Sequence, residues 1–230
     1  MGQLAQPSAP GTGRLLNYQI LTAGTTFVPQ ADTAAMDVLV IGGSAGSPYL
    51  FDAVNLLWHA GLAAGASARK RYTTIAESYA YSIGGGGSGG AGGSPAGTAG
   101  GTTTFGGTLI APGGDIIPSA VLVGGGGSDA YQPGGTNSAA VIGSGGDANQ
   151  NYYGENGQPF FLVASGPVFG GGQGGSTPMG VGAQYPGSAN TEALPGSGYG
   201  SGAGGAISVP AQSLNGVNGR PGCIVIWEWS

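Results

Sequence analysis

The residues with the best claim to chemistry are Val38-Leu39-Val40-Ile41-Gly42-Gly43-Ser44-Ala45-Gly46, an apolar strand running into glycines, with Glu77 further along. Such a stretch can open a dinucleotide-binding unit, because glycine backbone lets a pyrophosphate approach a helix N-terminus. The register is wrong here. Counting from Gly42, the third and sixth positions are Ser44 and Ser47, where the fingerprint requires glycine. Nothing after residue 84 supplies the alternating strands and helices of a parallel sheet, so no flavin or nicotinamide cofactor is expected. Gly124-Gly125-Gly126-Gly127-Ser128-Asp129-Ala130-Tyr131 fits one copy of the calcium nonapeptide pattern, which works only when stacked copies share the ions. The runs at 84–93 and 170–175 carry no Asp in register, so the segment reads as a solvent-facing glycine turn.

The remaining reactive groups are sparse. His59 is the only histidine, which excludes a two-histidine metal site, and it reads as a helix-surface or packing residue. Cys223 stands alone in an apolar run, so neither an intrachain disulfide nor a cysteine zinc site can form. No nucleophile elbow is present, and the 10 carboxylates contain no close glycosidase-like pair. Catalytic and metal-binding residues are therefore expected to be absent, and the chain is expected not to be an enzyme. Surface recognition is left. Tyr131, Tyr152, Tyr153, Tyr185 and Tyr199 lie in or beside stretches of Asn, Gln, Gly and Pro, the residue types that binding loops favour, and they are the candidate receptor contacts. Phe160-Phe161, beside Leu162-Val163, read instead as core.

Composition sets the frame for these residues. The 230 residues include 53 Gly and 15 Pro, a share that suggests disorder, yet 40% are hydrophobic and only 7% charged, which is not how disordered chains stay in solution. A folded chain whose surface is backbone, Gly, Ser, Thr and Asn reconciles the two. A net charge of -5 gives no footprint for nucleic acid, and the short cluster Arg69-Lys70-Arg71 reads as capping or solvating a segment end. No apolar run is long enough to cross a membrane as a helix. Met1 to Gly13 lacks a basic region followed by an apolar one, so no secretory signal is expected.

Residues 1–13 read as an extended attachment arm and 14–230 as a single domain, strand-rich over 14–83, glycine-rich with loops over 84–216, and closed by a strand in 217–230. Tyr18 and Ile20, Phe27-Val28-Pro29, Asp37 to Ile41, Tyr72 to Ile75 and Tyr79 to Ile83 read as strands. Short apolar pieces follow at 105–110, 116–123, 141–142, 160–163 and 206–209. Cys223 to Trp229 is the strongest strand, with Trp227 and Trp229 on one face and Glu228 on the other. Pro48 through Ala64 reads as the single short helix, about 48–60 once Gly61 and Gly65 limit it, because Leu50, Val54, Leu57 and Trp58 share a 3.6-residue face. Glycine runs can also order as polyproline-II strands that hydrogen-bond side by side, though the runs keep no strict collagen period. Fixing so much glycine is costly and calls for many mutual hydrogen bonds or neighbouring chains, which favours an oligomer. Side-chain packing gives no reason for order over 84–101, which holds no apolar side chain larger than Pro.

The order of these pieces resembles the glycine-rich domain of bacteriophage and prophage tail-fibre and adhesin proteins. The resemblance rests on Phe27-Val28-Pro29, Val38 to Gly43, Tyr79 to Gly87, Gly101-Thr102-Thr103-Thr104-Phe105-Gly106, the glycine arrays to Gly205, and Arg220-Pro221-Gly222 leading to Trp229. It spans roughly 18–230 and departs at 48–71, where that family usually continues glycine-rich. The resemblance implies a virion component made in the host cytoplasm, a homotrimer joined by its arm to other tail or baseplate proteins. It also implies variable loops that contact a bacterial surface saccharide or protein such as a pilus. The expected fold is all-β, short strands with glycine-rich loops or polyproline-II-like segments. A tail spacer without receptor contact and a free-standing glycine-rich binding protein are the alternatives.

Overall fold

The computed structural model describes residues 13–53, 56–92, 96–116, 121–123, 130–132, 143–147, 150–158, 160–163, 168–187 and 190–230. These are β throughout, with no helix among the described residues. In chain order the strands are β1 (Leu15–Leu21), β2 (Thr26–Phe27), β3 (Ala35–Ile41), β4 (Leu50–Phe51), β5 (Leu56–His59), β6 (Ser67–Tyr72), β7 (Tyr79–Ser82), β8 (Thr103–Phe105) and β9 (Leu109–Ala111). They continue with β10 (Val121–Val123), β11 (Ala130–Gln132), β12 (Asn151–Tyr152), β13 (Phe160–Val163), β14 (Val168–Gly171), β15 (Gly180–Val181), β16 (Ser197–Gly198), β17 (Ala206–Ser208), β18 (Ser213–Leu214) and β19 (Cys223–Trp229).

One end of the molecule is a pair of packed sheets. The larger has the order β1-β19-β3-β6-β12 and the smaller β2-β7-β8-β9, with every pairing antiparallel. Alternation decides which side chains meet between them. Met36, Val38, Val40, Ile224 and Ile226 from the larger sheet pack on Phe27, Tyr79, Tyr81, Phe105 and Leu109. The Tyr79 and Phe105 rings stack at 5.0 Å. Gly106 and Gly107, at φ 58° and 69°, supply the left-handed residues of the three-residue turn joining β8 to β9.

From this base the chain leaves in extended runs that are neither helix nor ordinary sheet. Ser44 N–H donates to the Arg220 carbonyl and Ser47 N–H to that of Val217, while Gly87 and Gly90 donate to Ser44 and Ser47. Gly216, Gly219 and Gly222 donate to Gly90, Gly87 and Gly84. Partners step by three residues, and along 84–90 burial also repeats every third residue. That is the period of polyproline-II backbone, which makes no internal hydrogen bonds and must find them in its neighbours. A second set behaves alike: Gly61 and Ala64 donate to Gln158 and Glu155, Leu62 and Gly65 to Ala203 and Gly200, and Gly175 and Gly202 to Leu62 and Gly175.

Glycine is what permits this spacing. A methyl group at Gly43 would strike the Gly85 carbonyl oxygen, at Gly86 that of Gly219, and at Gly219 that of Ser44. The innermost runs, 42–48, 60–66 and 200–205, are buried throughout and consist of Gly, Ala and Ser with Leu62 and Pro48. Outer runs are glycine on one azimuth only, as in Gly216-Val217-Asn218-Gly219-Arg220-Pro221-Gly222. Residues 84–92 and 96–101 are thus held by backbone where side chains gave no reason for order. Because one chain supplies these hydrogen bonds, glycine content no longer calls for neighbouring copies.

Several sequence readings change. The described residues of 48–60 form no helix: β4 pairs with β18, and β5 with β10 and β17. Leu57, Trp58 and His59 are buried in succession, with surroundings on both sides where a surface helix would bury one face. Tyr72 ends a strand that begins at Ser67, since its partner β3 runs out at Met36 and Ala35, and residues 73–78 are a turn. Arg69-Lys70-Arg71 lies inside that strand and not at a segment end. The described residues of 84–216 are bundle runs and short strands as well as turns. The arm over 1–12, the calcium-like run 124–129, and Val141-Ile142 lie outside the described residues, as do the side chains of Phe160 and Phe161.

Candidate binding surface

The direction of each run follows from its hydrogen bonds. Runs 42–47, 84–90, 112–115, 154–158, 181–184 and 200–205 lead away from the sheets, and 60–66, 97–101, 172–175, 193–196 and 216–222 lead back, with Gly143 on the return before β12. The far end is therefore formed, among the described residues, by 48–53, 56–59, 91–92, 96, 116, 121–123, 130–132, 160–163, 168–171, 185–187, 190–192 and 206–215. Turns near the sheets are short, as at 106–108 and 177–180. The far end is tied together by β10-β5-β17 and β18-β4, and by Leu50, Leu57, Ala193, Ala206 and Leu214, which pack as a second small core. Asn190 Oδ1 accepts from Val209 N–H at 2.9 Å, and the Asp52 carbonyl accepts from Ala211 N–H at 2.8 Å, linking separate turns.

On this end Phe51 is 51% exposed and Leu194 47% exposed, although each adjoins a residue of the local core. Sequence reasoning passed over both, reading Phe51 as part of a helix and Leu194 as loop; Leu194 carried a signal, a large apolar residue among small ones, whereas Phe51 follows Tyr49 and Leu50 and carried none. Charge is distributed unevenly. The five basic residues are Arg14 at the start of β1, Arg69, Lys70 and Arg71 in β6, and Arg220 in the bundle, where its Nε donates to the Gly196 carbonyl at 2.6 Å. Among the described residues the far-end turns hold Asp52 and Glu192 and neither Lys nor Arg.

The five tyrosines do not form one cluster. Tyr185 lies on a far-end turn, half-buried, its hydroxyl pushed up to about 12 by burial. Tyr131 is in β11, which pairs with β13 among the far-end segments, and its side chain is outside the described residues. Tyr152 and Tyr153 are exposed beside β6 at the sheet end. Tyr199 packs with Leu39, Ile41, Cys223 and Val225 on the outer face of the larger sheet.

The polar groups of the sheet end are occupied in holding structure. Asp37, buried, meets Arg71 Nη1 at 3.1 Å and Arg69 Nη2 at 3.8 Å, and accepts from Trp229 Nε1 at 3.0 Å. Arg69 also lies over the Trp227 ring at 5.4 Å. His59 is fully buried, and its Nδ1–H donates to the Ala60 carbonyl at 2.8 Å. Burial lowers its pKa to about 4, so it is a neutral packing residue at pH 7. Burial likewise pushes the Cys223 thiol up to about 12, which leaves it protonated and unreactive. Among the described residues no group of His, Cys, Asp and Glu is arranged to hold a metal. No helix there is long and apolar enough to cross a membrane.

No curated protein matches the chain by sequence. A family model described as a glycine-rich domain matches residues 21–228, which takes in β3, β7, the whole bundle and almost all of β19, and the chain belongs to that glycine-rich domain family.

Proposed function

We propose that the protein is a non-catalytic receptor-binding component of a bacteriophage or prophage tail, attaching the virion to a saccharide or protein on the bacterial surface through the far-end turns. The observation that carries this reading is the separation of the two ends. A hydrogen-bonded bundle holds the turns together at one end, while β1, the first described strand, lies at the other, beside β19. Rigid scaffolds with variable turns at one end suit recognition, because the backbone order is already in place and binding costs less entropy. Tyr131 and Tyr185 fall on the presenting end with Phe51 and Leu194; Tyr152, Tyr153 and Tyr199 belong to the anchoring end, where the arm meets other tail or baseplate proteins. With Asp52 and Glu192 and no cation on the described turns, the receptor determinant is neutral or positively charged, not a polyanion.

The test is purified protein on candidate host cells. Saturable binding that blocks adsorption of the phage supports the reading. Failure to bind any adsorbing host, or binding without blocking, favours a tail spacer in which the bundle serves only as a rod.

A further inference from the structure

We infer that the protein forms a two-fold dimer through the outer edge of β1, joining the larger sheets of two copies into one continuous sheet. Among the described residues β1 is an edge strand whose only strand partner is β19. Along it no residue is buried, and Leu15, Tyr18 and Ile20 are 45%, 49% and 38% exposed. Edge strands of soluble proteins are ordinarily guarded by charge, proline, brevity or a β-bulge. β1 has seven residues, Leu15-Leu16-Asn17-Tyr18-Gln19-Ile20-Leu21, with no charge, Pro or Gly. Its one irregularity is the register shift between Leu15 and Asn17.

The sequence of this edge says which partner fits. A two-fold contact must be self-complementary, each residue i meeting j while j meets i. Read about Tyr18, β1 is a chemical palindrome: antiparallel pairing of two copies sets Tyr18 against Tyr18, Asn17 against Gln19, Leu16 against Ile20 and Leu15 against Leu21. Every cross-strand pair is then like with like in size and polarity, and no like charges oppose each other. The outer face adjoining this line is aromatic, since Tyr18 sits 5.7 Å from Trp227, so pairing extends a surface that is already apolar. The far ends and their turns stay clear of the contact, because β1 belongs to the sheet end.

The test is the mass of the purified full chain in solution by light scattering or sedimentation. The expected result is twice the chain mass, reduced to the chain mass by Tyr18→Lys or Ile20→Lys, with the cooperative thermal transition kept in both variants. Register is read separately with a short bis-maleimide reagent, since buried Cys223 does not compete. Tyr18→Cys gives a cross-linked dimer in high yield and Ile20→Cys little, because Ile20 faces Leu16 of the other copy. A wild-type chain that is monomeric or trimeric, or equal cross-linking at both positions, would overturn the proposal.

Discussion

Glu228 illustrates how single residues bind this molecule together. The carboxylate is buried, and it accepts from Asn17 Nδ2 at 2.7 Å and from Gln30 N–H and Thr33 Oγ1 at 2.8 Å. A buried charge is tolerable only with such partners, and these pin the segment before β3 onto the last strand. Sequence alternation placed Glu228 opposite the two tryptophans but did not show that this face is the buried one. Glycines carry the sharpest residue-scale prediction. Gly86→Ala and Gly219→Ala drive a methyl into a backbone carbonyl, which cannot rotate away; each should cost about 2 kcal/mol or more and lower Tm by roughly 5 °C. Gly85→Ala points into open space and should leave the melt unchanged. His59 yields a pH prediction with a definite sign. Its folded pKa of about 4 lies below the ordinary 6.5, so between these values the unfolded chain takes up a proton that the folded chain refuses. The stability tied to His59 is thus present above pH 6.5 and falls as pH drops toward 4, by roughly 3 kcal/mol at about 1.4 kcal/mol per pH unit. Urea melts between pH 7 and 4 should show that extra loss in the wild type and not in His59→Asn.

At the scale of elements, alternation and apolar runs made β1, β3, β7 and β19 legible, because ordinary strands bury ordinary side chains. The bundle runs were harder to read. Gly42-Gly43 looked like the stop of a strand, yet the chain continues extended to Pro48, and the small residues of 60–66 looked like the end of a helix. A polyproline-II run is packed through its backbone, so its signature is small residues, mostly Gly, Ala and Ser, on every azimuth inside and glycine on one azimuth outside, not a hydrophobic period. Gly216, Gly219 and Gly222 do keep a three-residue spacing, which is too short a series to stand out among 53 glycines. β19 is central to both kinds of element. It lies between β1 and β3, supplies Ile224 and Ile226 to one core and Cys223 and Val225 to the other face, and follows directly from the last bundle run. A chain ending at Gly222 should therefore lose cooperative folding, seen as the absence of a sigmoidal melt by circular dichroism. A soluble truncated chain that still melts cooperatively would show that the bundle stands without its base.

For the molecule as a whole, the alternating direction of the runs separates the sheet end from the far end, where the longer turns gather. Little of this was legible in the sequence, because it depends on which glycine run lies beside which. The candidate tyrosines were chosen by composition of the surrounding stretch, and composition does not distinguish the two ends; that is why Tyr152 and Tyr153 are found far from Tyr185. The account makes a positional claim that substitutions can separate. Phe51→Glu and Leu194→Asp change exposed side chains at the far end, whereas Tyr152→Ser and Tyr153→Ser change exposed side chains at the sheet end. All four positions are surface sites, where such changes rarely cost more than about 0.5 kcal/mol, so the variants can be compared as folded proteins. The most direct measurement is the affinity of these variants for host cells that bind the wild type. The account predicts at least tenfold weaker binding by Phe51→Glu with Leu194→Asp, and unchanged binding by Tyr152→Ser with Tyr153→Ser. Loss of binding with the sheet-end pair, and none with the far-end pair, would contradict it.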